Sequence, residues 1–471
     1  MTTRPRSGLD IHLDLVAEGG RLRVHDALRE AVTSGRLAPG SRLPSSRSLA
    51  ADLGVARNTV ANAYAQLVAE GWLLARRGSS TWVADRVTPV RTAPIDTGSR
   101  ISTLPYSFQP GWPDVAAFPR TEWANAAREA LAAAPSRLLG YTESRGSQDL
   151  RAVLAEYLAR VRGVRCHAEQ IVLCSGFAQI LSLLSHLIRD AGGTLALEGL
   201  CHWAHSDIAA YAGVPTVRLP LDARGARVEE LDNTPATAVM LTPAHQYPTG
   251  ATLTPWRRSA AVDWARRTGG LIIEDDYDGE FRYSHRPLGA MQPLAPDHIV
   301  YCGTTSKSLL PALRLGWAVL PESWLRPFVV AKRRTDHQSG MLEQLTLTKF
   351  ITGGAYDRHI RRSRLAYRRR RDQLVAVLAA RAPHVAVRGF ASGLHAVLRY
   401  PADPGRPSEQ QLVTAAARRG LAIVGLSDYG HLADDSAISV VVGYATPPDH
   451  DYTRALTILA DVLSSRLPAD A

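Results

Sequence analysis

The stretch GTTSKSLLPALRLGW, residues 303–317, decides how the rest of the chain is interpreted. It follows the apolar run HIVYC, and a short apolar run bounded by polar residues predicts a buried strand. Lys307 stands just past this strand among small hydroxyl residues, and the chain has only two other lysines, Lys332 and Lys349. A desolvated lysine loses its proton more easily and becomes a nucleophile that forms a Schiff base with an aldehyde. The segment therefore predicts a reactive lysine at the end of a strand.

The neighbours of this lysine are suited to a phosphate group. Thr304 and Ser306 offer hydroxyls and Arg314 offers a guanidinium, which matches a doubly charged phosphate. Pyridoxal 5′-phosphate (PLP) combines the aldehyde and the phosphate that these groups would serve. We therefore expect Lys307 to hold PLP as a Schiff base, the alternative being a salt-bridged structural lysine.

A second segment, GLIIEDDYDGEF at residues 270–281, predicts a strand that runs into an acidic turn. The pyridine nitrogen of the cofactor stays protonated only beside a carboxylate, and Asp275 is the match. Tyr277 would hydrogen-bond the phenolic oxygen of the ring. The alternative for this segment is an acidic turn that caps a helix.

A third segment, LCSGFAQIL at residues 173–181, reads as a strand followed directly by a helix. Backbone N–H groups at the N-terminus of a helix bind phosphate. Gly176, Phe177 and Ala178 are therefore expected to form a phosphate cradle.

Together these segments resemble fold-type I aminotransferases, and residues 303–317 resemble their cofactor-lysine motif. The segment TPAHQYPTG, residues 242–250, resembles their NPTG turn, with Tyr247 in place of the asparagine that contacts the phenolic oxygen. The segment LLGYTESRGSQDLR resembles the one whose tyrosine, here Tyr141, reaches the phosphate of the neighbouring subunit's cofactor. The resemblance implies a homodimer with shared sites.

The chain departs from the aminotransferase pattern where a substrate would bind. In active aminotransferases a C-terminal arginine holds the substrate carboxylate, and the matching position here is Val441, in the strand SVVVGYA. The ring that stacks on the pyridine falls near His202, so either His202 or Trp203 would take that role. Phe177 stands where a hydroxyl often binds phosphate. These departures leave cofactor binding in place and provide less well for an amino acid substrate.

The fold expected after Phe108 is α/β, because apolar strands alternate with amphipathic helices there. The clearest strands are TLALE, AVMLTP, GLIIEDD and HIVYCGTTS. We predict a PLP-binding, dimerising domain of the fold-type I aminotransferase-like class over residues 107–467. It would consist of a large mixed, mostly parallel sheet and a small C-terminal α/β lobe.

Residues 13–84 predict a separate α+β domain of three helices and a hairpin. Val24, Leu28 and Val32 share one face of a first helix that stops at Gly35. Ser45 is placed to cap a second helix, which ends at Gly54. A third helix begins near Arg57, and WLLARRGSSTWVA then reads as two short strands around a basic tip.

Three helices and a basic hairpin form a winged helix-turn-helix, whose third helix enters the major groove of double-stranded DNA. The residues from Gly35 to Leu73 resemble this domain in GntR-type transcription regulators. The expected DNA contacts are Arg47, Arg57, Asn58 and Thr59, with Arg76, Arg77 and Gly78 in the wing. The alternative is a solvated basic face.

Residues 85–106 lack hydrophobic periodicity and contain prolines, glycine, serine and threonine, which predicts a linker. The net charge of +11 favours an acidic partner such as nucleic acid. The apolar runs are shorter than the roughly 18 residues of a membrane-spanning helix, so a cytoplasmic protein is expected, nucleoid-associated when bound to DNA. The scattered cysteines form no CxxC pair, which argues against disulfides or structural zinc.

Two further groups of residues need an interpretation. His202, His205 and His245 raise the question of a metal, but histidines that stack or hydrogen-bond are expected, and no metal site is predicted. The segment HIRRSRLAYRRRRDQL, residues 359–374, is expected to be a helix with a solvated arginine face, the alternative being an additional contact to the DNA backbone.

A winged helix-turn-helix followed by an aminotransferase-like domain resembles the MocR subfamily of bacterial GntR regulators. The resemblance implies a PLP-binding transcription regulator, and the loss of the carboxylate arginine suggests that PLP itself is the effector and that vitamin B6 biosynthesis genes are the targets. One alternative is a regulator that senses an amino acid or another amino compound through the bound cofactor. Others are an active aminotransferase with an accessory DNA-binding head and a DNA-binding protein with an inert second domain.

Overall fold

The structure, a computed structural model, describes residues 24–75, 80–84, 102–283, 288–389, 392–400, 407–430 and 438–464. The chain divides into two compact units, Met1–Ile101 and Ser102–Ala471. This division falls inside the segment expected to be a linker. Among the described residues no helix has the length and apolar character that crossing a bilayer requires.

The first unit contains three helices and a two-stranded antiparallel hairpin. Its elements are α1 Val24–Thr33, α2 Ser46–Leu53, α3 Arg57–Ala69, β1 Leu73–Ala75 and β2 Thr81–Val83. The three helices, the hairpin and the class of this unit are confirmed. The wing tip expected at Arg76, Arg77 and Gly78 lies outside the described residues.

Local signals mark both ends of α2. The Ser45 side chain caps α2 by accepting a hydrogen bond from the Ser48 N–H at 3.1 Å. Gly54 ends α2 in the left-handed conformation, and its N–H bonds to the Ala50 carbonyl. Leu28, Leu49, Val60 and other buried residues then join the helices in one small core.

The second unit is built on a seven-stranded sheet. In spatial order its strands are β4 Ile171–Cys174, β12 Gly316–Val319, β11 Ile299–Thr304, β10 Leu271–Asp275, β9 Ala238–Leu241, β5 Leu195–Glu198 and β6 Thr216–Leu219. The strand β12 runs antiparallel to both of its neighbours, and the other pairs are parallel. The expected mixed, mostly parallel sheet is confirmed.

Helices cover this sheet and extend beyond it. They are α4 Arg120–Ala133, α5 Gln148–Arg162, α6 Phe177–Asp190, α7 Trp203–Ala212, α8 Pro255–Thr268, α9 Thr305–Ser308, α10 Glu322–Thr335, α11 Met341–Thr352 and α12 Ala355–Arg381. Every residue of β4, β5, β9, β10, β11 and β12 is buried, which is the pattern of a sheet packed on both faces.

The C-terminal part forms the small lobe. Its antiparallel sheet contains, in order, β13 Ala386–Arg388, β14 Ala396–Arg399, β17 Ser439–Val442 and β16 Val424–Gly425. Its helices are α13 Glu409–Arg418 and α14 Asp449–Ser464. Two small pairs complete the unit: β3 Tyr106–Ser107 with β15 Leu421–Ala422, and β7 Leu221–Asp222 with β8 Gly225–Ala226.

The arginine-rich helix α12 corrects one expectation. Arg361, Arg362, Arg368 and Arg369 are exposed, as a solvated face requires. Arg370 is buried instead. Its guanidinium donates to Asp114 and to Asp449, each at 2.7 Å, and to the Ala445 carbonyl at 2.9 Å. The periodicity of α12 alone does not reveal these partners, because they come from distant parts of the chain.

Candidate functional site

The carboxyl ends of the parallel strands meet at one edge of the large sheet, where ligands bind in open α/β folds. Asp275 is the last residue of β10, and α9 with Lys307 follows β11 directly. The strand β4 runs into Gly176 and α6 at the same edge. Sequence analysis predicted these residues from separate segments, and the topology of the sheet places them side by side.

Lys307 is half-buried, and burial lowers the pKa of its amine. The charge of Arg314 lowers that pKa as well, while Asp275 and Asp278 raise it. A methyl group built on Gly111 would lie 3.8 Å from Lys307 Nζ and 3.5 Å from the Tyr247 hydroxyl. The amine is therefore lined by a glycine turn and a tyrosine, and its lowered pKa favours the nucleophilic form.

Asp275 is buried, and among the described residues none hydrogen-bonds its carboxylate. Burial raises the pKa of Asp275 well above its usual value, and only the charge of Lys307 works in the opposite direction. A buried carboxylate without a donor costs free energy. A protonated ring nitrogen placed against it would remove that cost, so this residue fits PLP.

The residues expected to form a phosphate cradle at Gly176 lie beside Arg314. Gly176 has a positive φ of 88° and caps α6, so the N–H groups of Phe177 and Ala178 open the helix. A Cβ on Gly176 would lie 3.2 Å from a guanidinium nitrogen of Arg314, which itself donates to the Ser175 carbonyl at 2.6 Å. Helix N–H groups beside a guanidinium fit a phosphate.

The hydroxyls expected at the phosphate lie next to each other. Thr304 Oγ1 accepts a hydrogen bond from the Ser306 N–H at 3.1 Å and lies 3.0 Å from Ser306 Oγ. The Thr304 side chain thereby caps α9 and fixes the turn that presents Lys307.

Tyr277 lies in a network that sequence analysis did not find. Its hydroxyl donates to the His245 carbonyl at 3.0 Å and lies 3.0 Å from His245 Nδ1. His245 Nδ1 is 2.7 Å from a carboxylate oxygen of Asp278. Burial raises the pKa of Tyr277 well above its usual value, so the phenol is a proton donor at neutral pH.

Aromatic rings line the rest of the site. The Tyr247 hydroxyl donates to the Tyr429 hydroxyl at 3.3 Å. The His202 ring lies 5.6 Å from the Tyr247 ring and 5.5 Å from the Trp203 ring, measured between centroids. The His202 side chain also caps α7 through the Ala204 N–H. The stacking role of His202 or Trp203 stays a prediction.

Val441 is the residue expected at the position of the carboxylate arginine of aminotransferases. It is fully buried in the middle of β17 and belongs to an apolar cluster with Leu200, Val397, Leu426 and the rings of Tyr247, Tyr277 and Tyr429. An anion would lose its hydration there without a cation in return. This part of the site provides poorly for a carboxylate.

Tyr141 lies apart from these residues within one chain. It is 88% exposed and makes an edge-on contact with the His337 ring at 5.3 Å. Its expected role concerns a partner subunit and stays a prediction.

Sequence reasoning missed four residues at or near the site. Gly111 belongs to the sequence PGWP, which signals a turn but gives no indication of its partner. His395 is fully buried, bonds to the Pro248 carbonyl at 3.0 Å, and its Nδ1 has no partner among the described residues. His245 was considered only as a metal ligand, and Asp278 was not singled out. Their contacts span long sequence separations, which periodicity does not report.

The first unit, called the head from here on, exposes to solvent the expected DNA contacts on its helices. Arg57, Asn58 and Thr59 are the first three residues of α3, and all are exposed. Arg47, the second residue of α2, is exposed as well. Donors at the start of a helix are placed for phosphates and base edges.

Two family comparisons divide the chain in the same way as the structure. Residues 21–83 match the bacterial regulatory proteins of the gntR family, and residues 113–445 match aminotransferase class I and II.

Similar proteins include regulators and aminotransferases. The HTH-type pyridoxine biosynthesis transcriptional regulator PdxR of Corynebacterium glutamicum is 33% identical over 93% of this chain and 94% of its own length. The probable rhizopine catabolism regulatory protein MocR of Rhizobium meliloti is 33% identical over 75% of this chain and 76% of its own. The crystal structure of a multiple substrate aminotransferase from Thermococcus profundus superposes with a TM-score of 0.69 at 23% identity, covering 78% of this chain and 93% of that one.

Proposed function

The chain belongs to the aminotransferase class I and II family, and we propose that it is a transcription regulator that binds DNA through its GntR-type domain. This arrangement of two domains is that of the MocR regulators. The regulator would hold PLP at Lys307 and respond to it. The observation that supports this most is the grouping of a reactive lysine, a buried unpaired carboxylate and a helix-plus-arginine cradle at one sheet edge.

Each part of PLP would have a designated residue. Lys307 would attach its aldehyde carbon, Asp275 would hold the ring nitrogen, and Arg314 with the start of α6 would hold the phosphate. Thr304, Ser306, Tyr277, His202 and Tyr247 would complete the site. When bound, PLP supplies an aldehyde that condenses with amines and a ring that withdraws electrons. The protein supplies binding, orientation and exclusion of water.

We further propose that PLP is the effector and that the regulated genes belong to vitamin B6 biosynthesis. Among the described residues, the cluster around Val441 is apolar and aromatic and offers no cation to the carboxylate of an amino acid. The relative from Corynebacterium is named a regulator of pyridoxine biosynthesis, which supports the same class of target genes. An effector acts only by binding two states of the protein with different affinity, so PLP would bias the arrangement of the DNA-binding heads.

The working unit is proposed to be a homodimer. Besides Tyr141, the exposed apolar residues include Leu131 on α4, Leu139 on the following turn and Leu342 on α11. The helices α4 and α11 pack together. A second copy that covers these exposed residues is proposed to receive Tyr141 at its own site.

A second candidate is a regulator that senses an amino compound through the bound PLP. The unpartnered Nδ1 of His395 and the hydroxyls of Tyr247 and Tyr429 would offer polar contacts to such a ligand without a carboxylate. A change in the visible spectrum of bound PLP on adding amines would favour this candidate. Steady-state conversion of an amino donor and an oxo-acid would instead indicate an active aminotransferase.

The attachment of PLP is tested by reducing the loaded protein with borohydride and mapping the modified peptide. With three lysines in the chain, the outcome is unambiguous. We expect the label on Lys307 alone. Label on Lys332 or Lys349, or no label at all, would contradict the proposed function.

A further inference from the structure

A buried histidine and carboxylate contact Tyr277 at the edge of the site. His245, in the turn after β9, is 1% exposed, and Asp278, after β10, is 2% exposed. His245 Nδ1 lies 2.7 Å from an Asp278 carboxylate oxygen, and Nε2 lies 3.3 Å from the Gly389 carbonyl. Each ring nitrogen faces an oxygen acceptor, so the ring acts as a donor toward Asp278.

This pairing decides where the Tyr277 proton goes. A phenol has one proton, and the Tyr277 hydroxyl lies 3.0 Å from both His245 Nδ1 and the His245 carbonyl. Because Nδ1 gives its own hydrogen to Asp278, it does not accept the phenolic proton. The remaining competitors for that proton are the His245 carbonyl and the Asp278 carboxylate, which already accepts from Nδ1.

The small lobe holds the pair in place. Gly393 has a φ of 82°, and a Cβ there would lie 2.2 Å from the His245 ring and 2.5 Å from the Asp278 carboxylate. The Tyr444 hydroxyl in turn donates to the Gly393 carbonyl at 2.8 Å. A buried pair of hydrogen-bonded polar side chains adds little net stability compared with apolar residues of similar volume. Stability alone therefore does not account for this pair beside the site.

We propose that His245, held by Asp278, is a positioning residue of the PLP site that keeps the Tyr277 proton available to the phenolic oxygen of the cofactor. This inference rests on the proposed function, because PLP would supply that oxygen. Other titratable or charged groups surround the pair: Asp275, Glu280, Arg282 and Tyr283 in and after β10, Lys307 in α9, His395 before β14 and Tyr444 after β17.

The test is a pH titration of the visible absorption band of the PLP-loaded full-length protein. Tyr277→Phe removes the donor and is expected to shift the midpoint. Asp278→Asn frees Nδ1 to accept the phenolic proton, and it also removes a charge that raises the pKa of Lys307. The part of its midpoint shift that depends on the Tyr277 hydroxyl, taken as the difference between the wild-type and Tyr277→Phe backgrounds, should be on the order of half a pH unit to one unit. His245→Gln should also move the midpoint toward the Tyr277→Phe value. His245→Gln should add no shift in the Tyr277→Phe background, where the proton is absent, and Asp278→Asn should keep there only the part of its shift that comes from its lost charge.

His298→Gln is the matched control, since this histidine precedes β11 at the opposite end of the strand from Lys307. It should leave the midpoint unchanged. If Asp278→Asn and His245→Gln bind PLP and titrate like the wild type, or if their shifts are the same with and without the Tyr277 hydroxyl, the inference is wrong. Should His245→Gln fail to fold, the isosteric Asp278→Asn decides through the difference between its shifts in the wild-type and Tyr277→Phe backgrounds. A wild-type protein that does not bind PLP overturns the proposed function and this inference together.

Discussion

The head and the aminotransferase-like unit present their candidate residues in opposite surroundings. Arg57, Asn58 and Thr59 stand in solvent at the start of one helix, and their positions follow from local helix signals. Asp275 and Tyr277 are buried, and burial shifts the pKa of both. The head is therefore expected to act through charge and salt-dependent contacts, and the second unit through desolvated groups and a hydrogen-bond network.

The largest expected effect comes from a substitution that abolishes a property of one unit and leaves the other unit unchanged. Lys307→Ala should abolish covalent retention of PLP, because the amine that attaches the aldehyde is lost. DNA binding by the cofactor-free protein should stay unchanged, since the head is untouched. Absorption spectra after dialysis measure the first effect, and a DNA-binding titration measures the second.

Lys349→Ala is the control, because Lys349 is an exposed lysine on α11. Retention of a covalent PLP adduct in Lys307→Ala, or its loss in Lys349→Ala, would refute the assignment of the site.

The contrast between buried and exposed residues should also appear in the stability of the protein, for two arginines on α12. Arg370→Ala leaves Asp114 buried without its cation, and removing one partner of a buried pair costs about 3–5 kcal/mol. Arg369→Ala removes only an exposed ion pair and should cost less than about 1 kcal/mol. Denaturant unfolding of both variants measures the two costs. Equal costs would mean that the burial of Arg370 does not matter.

A substitution in the head should have the reverse effect of Lys307→Ala. Arg57→Ala is expected to weaken DNA binding by about 1–3 kcal/mol if the side chain reads a base, or to lower the salt slope by about 1 if it contacts a phosphate. PLP binding should be unchanged. Arg29→Ala, an exposed arginine on α1, serves as control. An Arg57→Ala protein with unaltered affinity and salt slope would remove this residue from the DNA interface.

The smallest expected effect is a fall in stability with rising pH, which buried carboxyl groups with raised pKa values produce. Burial raises the pKa of Glu198, at the end of β5, to about 7. Between its unfolded pKa near about 4.3 and the folded value, the folded state keeps the proton that the unfolded state releases, so stability falls as pH rises through this window. Glu198→Gln preserves the hydrogen bonding to Thr242 without a charge. It should flatten this fall and leave the cofactor-free protein more stable than wild type above pH 8 by about 1–3 kcal/mol.

Thermal or denaturant unfolding at several pH values checks this prediction. Glu274 and Glu280 have pKa values raised to about 7 as well, so part of the slope should remain. An unchanged slope in Glu198→Gln would show that this carboxyl does not titrate in the window.

The sequence alone was sufficient to predict the elements and residues whose signals are local. Ser45 and Gly54 mark the ends of α2, and the apolar runs before Asp275 and Lys307 are strands of one sheet. Because parallel strands end at the same edge, residues predicted from separate segments lie together.

The sequence was insufficient where contacts join distant segments. Arg370 looked like one of several solvated arginines until Asp114 and Asp449 were found against it. His245 and Asp278 lie in two of the motifs, residues 242–250 and 270–281, but their contacts with Tyr277 and Gly393 depend on how the small lobe packs on the large sheet. Helix and strand periods carry no information on such tertiary contacts.

The claim that PLP at Lys307 changes how the heads bind DNA is tested most directly by fluorescence anisotropy. DNA from the region upstream of the protein's own gene is titrated with cofactor-free protein at fixed salt, with and without PLP, because phosphate contacts make affinity salt-dependent. We predict that PLP changes the affinity or the cooperativity several-fold and that Lys307→Ala loses this response. Equal DNA binding with and without PLP, in a protein whose Lys307 carries the cofactor, would contradict the account.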